Sequence, residues 1–374
     1  MPGYIQIGVR GLLGLALACS TVLHAQDIKI GTLFPLSGRI AVLGDVFNTG
    51  VNLAVDHLNA DKMLSGKLSI VAEDSQGAPQ QGVIGMSKLV NVDKVPYVMS
   101  GVTGVLKAIA PIGQRANVVT VNGGGVGPDL AELGPYAWNV IPLATIQVQE
   151  LIPFMVKDRG LKRFVIVYLD DPTGEGLRKA LEKELPKVGG ELVEALSIPV
   201  GSQQFSGIAA KVRAARPDAI FLGSVGPQQV QLVKQLRDNG VTQQLATYYT
   251  LPELDALPEA KGMYYTSQVV DWESKDPLTR RFVTDFKARY NRNPDTTAAN
   301  YYNAVRLFGA LASELQKQGK PINAENLLAQ RLAQKSFDFI GGKVGFDGTG
   351  TVMMPIQVNE ITGPGGGKMV SLRK

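Results

Sequence analysis

Two stretches of this sequence have residue types and spacing that could do chemistry. The first, Val121-Asn122-Gly123-Gly124-Gly125-Val126-Gly127-Pro128-Asp129-Leu130, sets three consecutive glycines directly behind the apolar run 117–121. Bare backbone at a strand end can turn main-chain N–H groups toward an anion, so one reading is a nest for a small anionic group. The other is a plain glycine turn between two elements. A phosphate cradle is excluded: Gly123, Gly125 and Pro128 break the dinucleotide fingerprint at its third glycine, and no Gly-Lys-Ser/Thr follows. The second stretch is the pair Asp170-Asp171 at another strand end, where two carboxylates sharing a proton would do acid–base work. Adjacent loop residues point apart and no metal-ligand set accompanies them, so no catalytic residue is assigned and an enzyme is the minor alternative.

Other reactive groups are scarce. The chain has one cysteine, Cys19, and two histidines, His24 and His57. Cys19 and His24 fall in a segment where Arg10 precedes the apolar run 11–18 and small residues lead to Ala25. This reads as an export signal over residues 1–25, too short for the ~20 apolar residues of a membrane span. Ala16-Leu17-Ala18-Cys19 resembles the box before a lipid-modified cysteine, but Ala16 stands where a larger aliphatic residue is usual, so soluble export is preferred to a lipid anchor at Cys19. The mature chain then keeps no thiol, which excludes disulfides, thiolate metal sites and a cysteine nucleophile. His57 takes a polar position of the amphipathic segment GVNLAVDHLNAD and reads as a surface histidine. Neither a metal nor a cofactor is implied.

The elements that must position these loops come in a regular order. With 374 residues, 45% hydrophobic and 19% charged, the chain has material for two domains. Strands are expected at 28–34, 68–72, 97–99 and 117–121, alternating with helices through His57, 81–90 and 106–114. The pattern restarts with strands at 164–168, 191–196 and 219–222 and helices at 175–188, 205–215 and 228–238. This alternation specifies an α/β fold of two similar lobes, each a doubly wound, mostly parallel sheet. Later come a helix carrying Leu278, Phe282, Phe286 and Tyr290 at i, i+4 spacing, a helix over 297–315, short strands around 344–346 and 353–361, and a loop at Gly363-Pro364-Gly365-Gly366-Gly367-Lys368. Basic residues interleave with acids, as at 178–184, and no basic block with aromatics suggests a nucleic-acid partner.

The strand ends run into PLSGRIAVLGD, SGVTGV, NGGGVGPDL, DDPTGEG and GSVGPQ, five glycine-containing loops that would form the two walls of one cleft. Together with KLVNVDKVPYVMSGVTG, RPDAIFLGS, QLVKQLRDNG, DPLTRRFVTDFKARYNRNPDTTAANYYNAV and GGKVGFDGTG, these segments resemble the leucine/isoleucine/valine-binding family of periplasmic solute-binding proteins over residues 26–374. The resemblance implies the type I periplasmic-binding fold, with lobe 1 over 26–142 and 272–352 and lobe 2 over 143–271 and 353–374. Three crossing strands near residues 142, 271 and 352 would form the hinge. It also implies a monomer in the periplasm that closes on a small ligand and docks on the membrane permease of an ABC importer.

Carried over by resemblance, the ligand's carboxylate meets the Thr103 hydroxyl and the backbone of Gly124 and Gly125. Leu43 and Val126 complete the first wall; Thr173, Val225, Gly226 and Tyr249 form the second. Val126 stands where amino-acid binders of the family place a threonine, Leu43 where an aromatic residue is expected, and Thr173 where a tyrosine is expected. Valine offers no lone pair to an ammonium group, and burying that group unpaired costs several kcal/mol. The expected ligand is therefore a small carboxylate, an apolar or aromatic organic acid in preference to a branched-chain amino acid. An amino acid held through Glu253 is the alternative. Tyr248, Tyr249, Tyr301 and Tyr302 are candidate aromatic walls. A sensory receptor built on the same trap is the rival class.

Overall fold

The computed structural model describes residues 3, 27–364 and 366–372; apart from Gly3, the export segment expected at 1–25, with Cys19 and His24, lies outside them. Chain order begins β1 (Ile28–Phe34), α1 (Ala41–Ala60), β2 (Leu68–Asp74), α2 (Pro79–Asn91), β3 (Tyr97–Ser100), α3 (Thr103–Ala116), β4 (Val119–Asn122) and β5 (Ala137–Asn139). These strands form an all-parallel sheet of order β2-β1-β3-β4-β5. Successive strand residues point to opposite faces. Ile30 and Phe34 of β1 join the core under α1, whereas Leu33 joins Met86 and Ile109 under α2 and α3. Both faces are covered, as a parallel sheet requires.

The second lobe holds α4 (Ala144–Pro153), β6 (Arg163–Leu169), α5 (Pro172–Glu184), β7 (Glu191–Ile198), α6 (Ser206–Ala215), β8 (Ala219–Gly223), α7 (Pro227–Asp238), β9 (Gln244–Thr247), α8 (Pro252–Asp255) and β10 (Tyr264–Gln268). The chain then returns to the first lobe through α9 (Pro277–Tyr290), α10 (Thr296–Lys317) and α11 (Ala324–Ala333). A small antiparallel sheet follows, β11 (Phe337–Phe339), β12 (Gly342–Phe346) and β13 (Val352–Met353). It ends on the second lobe with β14 (Ile356–Gly363) and β15 (Gly366–Leu372). The second sheet has the order β15-β14-β10-β9-β8-β6-β7. Phe164 and Ile166 pack toward α4 and α5, Val165 and Val167 toward α6 and α7, repeating the two-faced core. The main chain therefore passes between the two large sheets after β5, after β10 and after β13.

The two lobes are similar, each with a mostly parallel sheet, and the second adds the edge hairpin of β14 and β15, with β14 antiparallel to β10. Two expectations are corrected. The glycine-rich tail, expected as a loop, is the turn of that hairpin, and β15 continues to Leu372. A side chain on Gly367 would strike the Tyr265 ring at 2.8 Å, so glycine there admits the aromatic ring to the hairpin. His57 is not on the surface. It is 5% exposed, its Nδ1 lies 2.7 Å from the Tyr302 hydroxyl, and its Nε2 lies 3.0 Å from Asp285 Oδ2. The polar stripe of α1 that carries it is covered by α9 and α10, packed so closely that a Cβ on Gly50 would collide with the Ala298 carbonyl. Burial, then Arg281, pushes the imidazole below its ordinary pKa.

Candidate functional site

The loops after β1, β2, β3, β6 and β8 lead into α1, α2, α3, α5 and α7, whose first turns, with that of α10, line the space between the lobes. A cavity of about 830 Å³ lies there. Thr103 is the first residue of α3 and is 1% exposed, and its Oγ1 accepts the Gly127 N–H at 3.4 Å. That bond leaves the hydroxyl proton free to donate. The preceding residue, Val102, gives no side-chain cap. The first intrahelical bond runs from Leu106 N–H to Val102 O, so the N–H groups of Thr103, Gly104 and Val105 lie outside the ladder. Hydroxyl, uncapped amides and the positive end of the helix dipole are together groups able to receive an anion.

The triple glycine has a different local reason. Gly124 N–H and Gly125 N–H donate to Asn122 Oδ1 at 3.1 and 2.7 Å. Asn122 Nδ2 donates to Gly125 O at 2.7 Å and to Asn139 Oδ1 at 2.9 Å. The two amides expected to face a ligand thus meet the Asn122 carboxamide instead, because its oxygen sits where the strand ends. None of the three glycines has a positive φ. Their small size matters because the turn is tightly covered: a Cβ on Gly124 would lie 2.8 Å from Phe47 Cζ, and one on Gly125 3.1 Å from Thr103 Oγ1. The glycines bring the turn against Thr103 and let Phe47 and Tyr301 close over it.

The remaining expected residues divide. Leu43, Val126, Thr173, Val225 and Tyr249 line the cavity with Thr103, Gly124 and Gly125; Gly226 does not, and with φ +72° it serves as the turn before α7. Tyr248 and Tyr249 are wall residues, but Tyr301 and Tyr302 are fully buried in the first lobe, where Tyr301 donates to Ser100 O at 3.0 Å. Glu253 is exposed and away from the cavity. Among the described residues lining the cavity, Asp171 is the sole acid and Arg39 the sole base. Asp171 caps α5, accepting the Gly174 N–H at 2.7 Å. Burial raises its carboxyl above the usual range while the Gly174 and Thr173 amides pull it down, and Asp170 adds the smallest upward push.

Residues that the sequence did not single out complete the site. Thr297, at the start of α10, shares a 2.9 Å hydrogen bond with the Tyr249 hydroxyl, joining the two lobes across the cleft. Gln147 and Thr266 form the floor, with Thr266 Oγ1 donating to Gln147 Oε1 at 3.0 Å. Asn300 donates to Gly123 O at 3.1 Å and also lines the cavity. Single polar residues inside long helices carry no local signal of such roles.

The family model for periplasmic binding proteins matches residues 27–367. The chain belongs to this periplasmic binding protein family. A Leu/Ile/Val-binding protein from Rhizobium johnstonii is 27% identical to this member over 350 residues, 90% of this chain and 91% of that protein. Among solved structures, an ABC-transporter solute-binding protein from R. palustris in complex with benzoate superposes with a TM-score of 0.82 at 20% identity, covering 93% of this chain and 96% of the other. The branched-chain amino acid binding protein of Streptococcus pneumoniae in complex with isoleucine gives 0.81 at 20% identity, covering 93% and 99%. At such identity these two likenesses concern the fold, which in this periplasmic binding protein is the same two-lobed arrangement.

Proposed function

We propose that this periplasmic binding protein is the receptor of an ABC importer, acting as a monomer in the periplasm and delivering a small apolar or aromatic carboxylate to its permease. Its lobes would divide near residues 142, 271 and 352. The observation that carries the ligand reading is the charge inventory of the cavity. A carboxylate finds Thr103 and the uncapped start of α3, whereas an ammonium finds, among the described residues lining the cavity, one acid alone, Asp171, one oxygen of which already caps α5, and Glu253 lies elsewhere. Val126, at 3% exposure, adds an apolar surface where the ammonium of an amino acid would need an acceptor. The benzoate complex of a like-folded protein is consistent with this reading.

A free apolar amino acid is the second reading, favoured by the Leu/Ile/Val-binding relative and by the presence of Asp171 in the cavity. On that reading the uncapped oxygen of Asp171 would take the ammonium. Calorimetric titration of benzoate into wild-type protein and Thr103→Ala tests the proposal. Binding by the wild type that drops about 10- to 150-fold in the variant supports the carboxylate site; equal affinities would show that the carboxylate lies elsewhere.

A further inference from the structure

The cavity is larger than a single-ring acid requires. At ~30 Å³ per bulk water, about 830 Å³ holds about 28 waters, so a compact acid at the α3 end leaves most of it to solvent. The wall that carries Arg39 and the loop 199–205 is built. The loop 199–205 of the second lobe is fastened to α7 by two glutamines that act as backbone surrogates. Gln228 accepts the Gly201 N–H at 2.8 Å and donates to Pro199 O at 3.0 Å. Gln235 accepts the Phe205 N–H at 2.7 Å and donates to Gln203 O at 2.7 Å. Gln231 lies between them on the same face of α7 and lines the cavity, and its carboxamide bonds to nothing among the described residues.

Arg39 reaches this loop from the opposite lobe. Its Nη1 stands 3.5 Å from Val200 O, at the outer limit of a hydrogen bond, over Gly201, where φ is +87° and a Cβ would collide with the guanidinium. The other guanidinium N–H groups have no partner among the described residues. Arg39 is exposed, and its planar donor fork lines the same cavity as Thr103 at the start of α3.

We propose that the Arg39 end is a second binding compartment and that the ligand is an elongated dicarboxylate, with one carboxylate at Thr103, an apolar body along Leu43 and Tyr249, and the second carboxylate on Arg39 and Gln231. This rests on the carboxylate reading given above and extends it. Gln228 and Gln235 fix the loop that Arg39 meets, and the free carboxamide of Gln231 supplies a neutral donor in the same cavity.

The test is a titration of α,ω-dicarboxylates of about six to ten carbons, each paired with the monocarboxylate of equal length, against wild type, Arg39→Gln and Gln231→Ala. The expected result is a length optimum at which the diacid binds about 10- to 150-fold more tightly than its monoacid, the range of one charge-assisted hydrogen bond. Arg39→Gln should remove that advantage and leave the monoacid unchanged; Gln231→Ala should reduce it. Equal binding of diacid and monoacid overturns the second compartment alone, as does an Arg39→Gln variant that weakens both alike, which would make Arg39 a lobe latch. Binding of leucine with no binding of any amine-free acid overturns this inference and the carboxylate reading together.

Discussion

Replacing Asn122 by alanine should destabilise the first lobe more than any other single change in the cleft. The side chain makes four hydrogen bonds at 2.7 to 3.1 Å, to Gly124 N–H, Gly125 N–H, Gly125 O and Asn139 Oδ1, and is 2% exposed. At about 0.5–1.5 kcal/mol per bond the loss is ~2–6 kcal/mol, with buried partners left unsatisfied. Asn122→Asp is the sharper variant because its shape is unchanged. One carboxylate oxygen keeps the two glycine amides, but the other replaces an NH₂ group facing two acceptors, and the resulting repulsion should make aspartate no better than alanine. Urea unfolding followed by tryptophan fluorescence reads the correct lobe, since Trp138 and Trp272, the two tryptophans of the chain, both pack in the first-lobe core. A loss below about 0.5 kcal/mol in both variants, the range of an ordinary surface substitution, would refute the assignment of Asn122 as the organiser of the triple glycine.

Three further outcomes are expected. Tyr249→Phe removes the hydrogen bond to Thr297 that joins the lobes and should weaken ligand binding by about 0.5–1.5 kcal/mol without moving the unfolding midpoint of the first lobe, as checked by calorimetry and urea titration. Gly176→Ala sets a Cβ against Pro128 of the other lobe and should shift small-angle scattering of the ligand-saturated protein toward an open form; an unchanged profile would show that these surfaces do not meet on closure. Asp255 is 9% exposed and burial pushes its carboxyl up to about 6 from 3.8. The folded state then holds a proton that the unfolded state releases, so stability falls as pH rises from about 4 to 6, by up to ~3 kcal/mol. Asp255→Asn should flatten that part of the profile in thermal melts.

The sheet-and-helix order was legible because parallel strands buried on both faces read as short apolar runs, as in Phe164-Val165-Ile166-Val167. The short or half-exposed strands β9, β10 and β15 carry no such run, and their existence depends on neighbours far along the chain. His57 shows the same limit: its helix is amphipathic, but the side that looks polar is covered by residues 245 positions away. In the cleft, the helix after β3 was readable from strand-loop-helix order, though expected from 106 where it starts at Thr103, and Thr103 itself came from the family resemblance; the glycine turn was readable. The acceptor that captures the glycine amides was not, because the pairing of Asn122 with Asn139 is set by strand register. The cross-cleft pairs Tyr249 with Thr297 and Arg39 with Val200 were equally hidden, since each joins segments from different lobes.

The most direct test compares acids that differ only in the amine: 4-methylpentanoate with leucine, and 3-phenylpropanoate with phenylalanine, each in a thermal-shift titration of the protein. A ligand present at about 100 times its dissociation constant adds roughly 2.7 kcal/mol and raises the melting temperature by several degrees. A rise with the amine-free member of a pair and none with its amino acid is the predicted result. A rise with leucine or phenylalanine and none with the matched acid would contradict it, and would require an acidic partner for the ammonium in a cleft where, among the described lining residues, Asp171 alone is acidic.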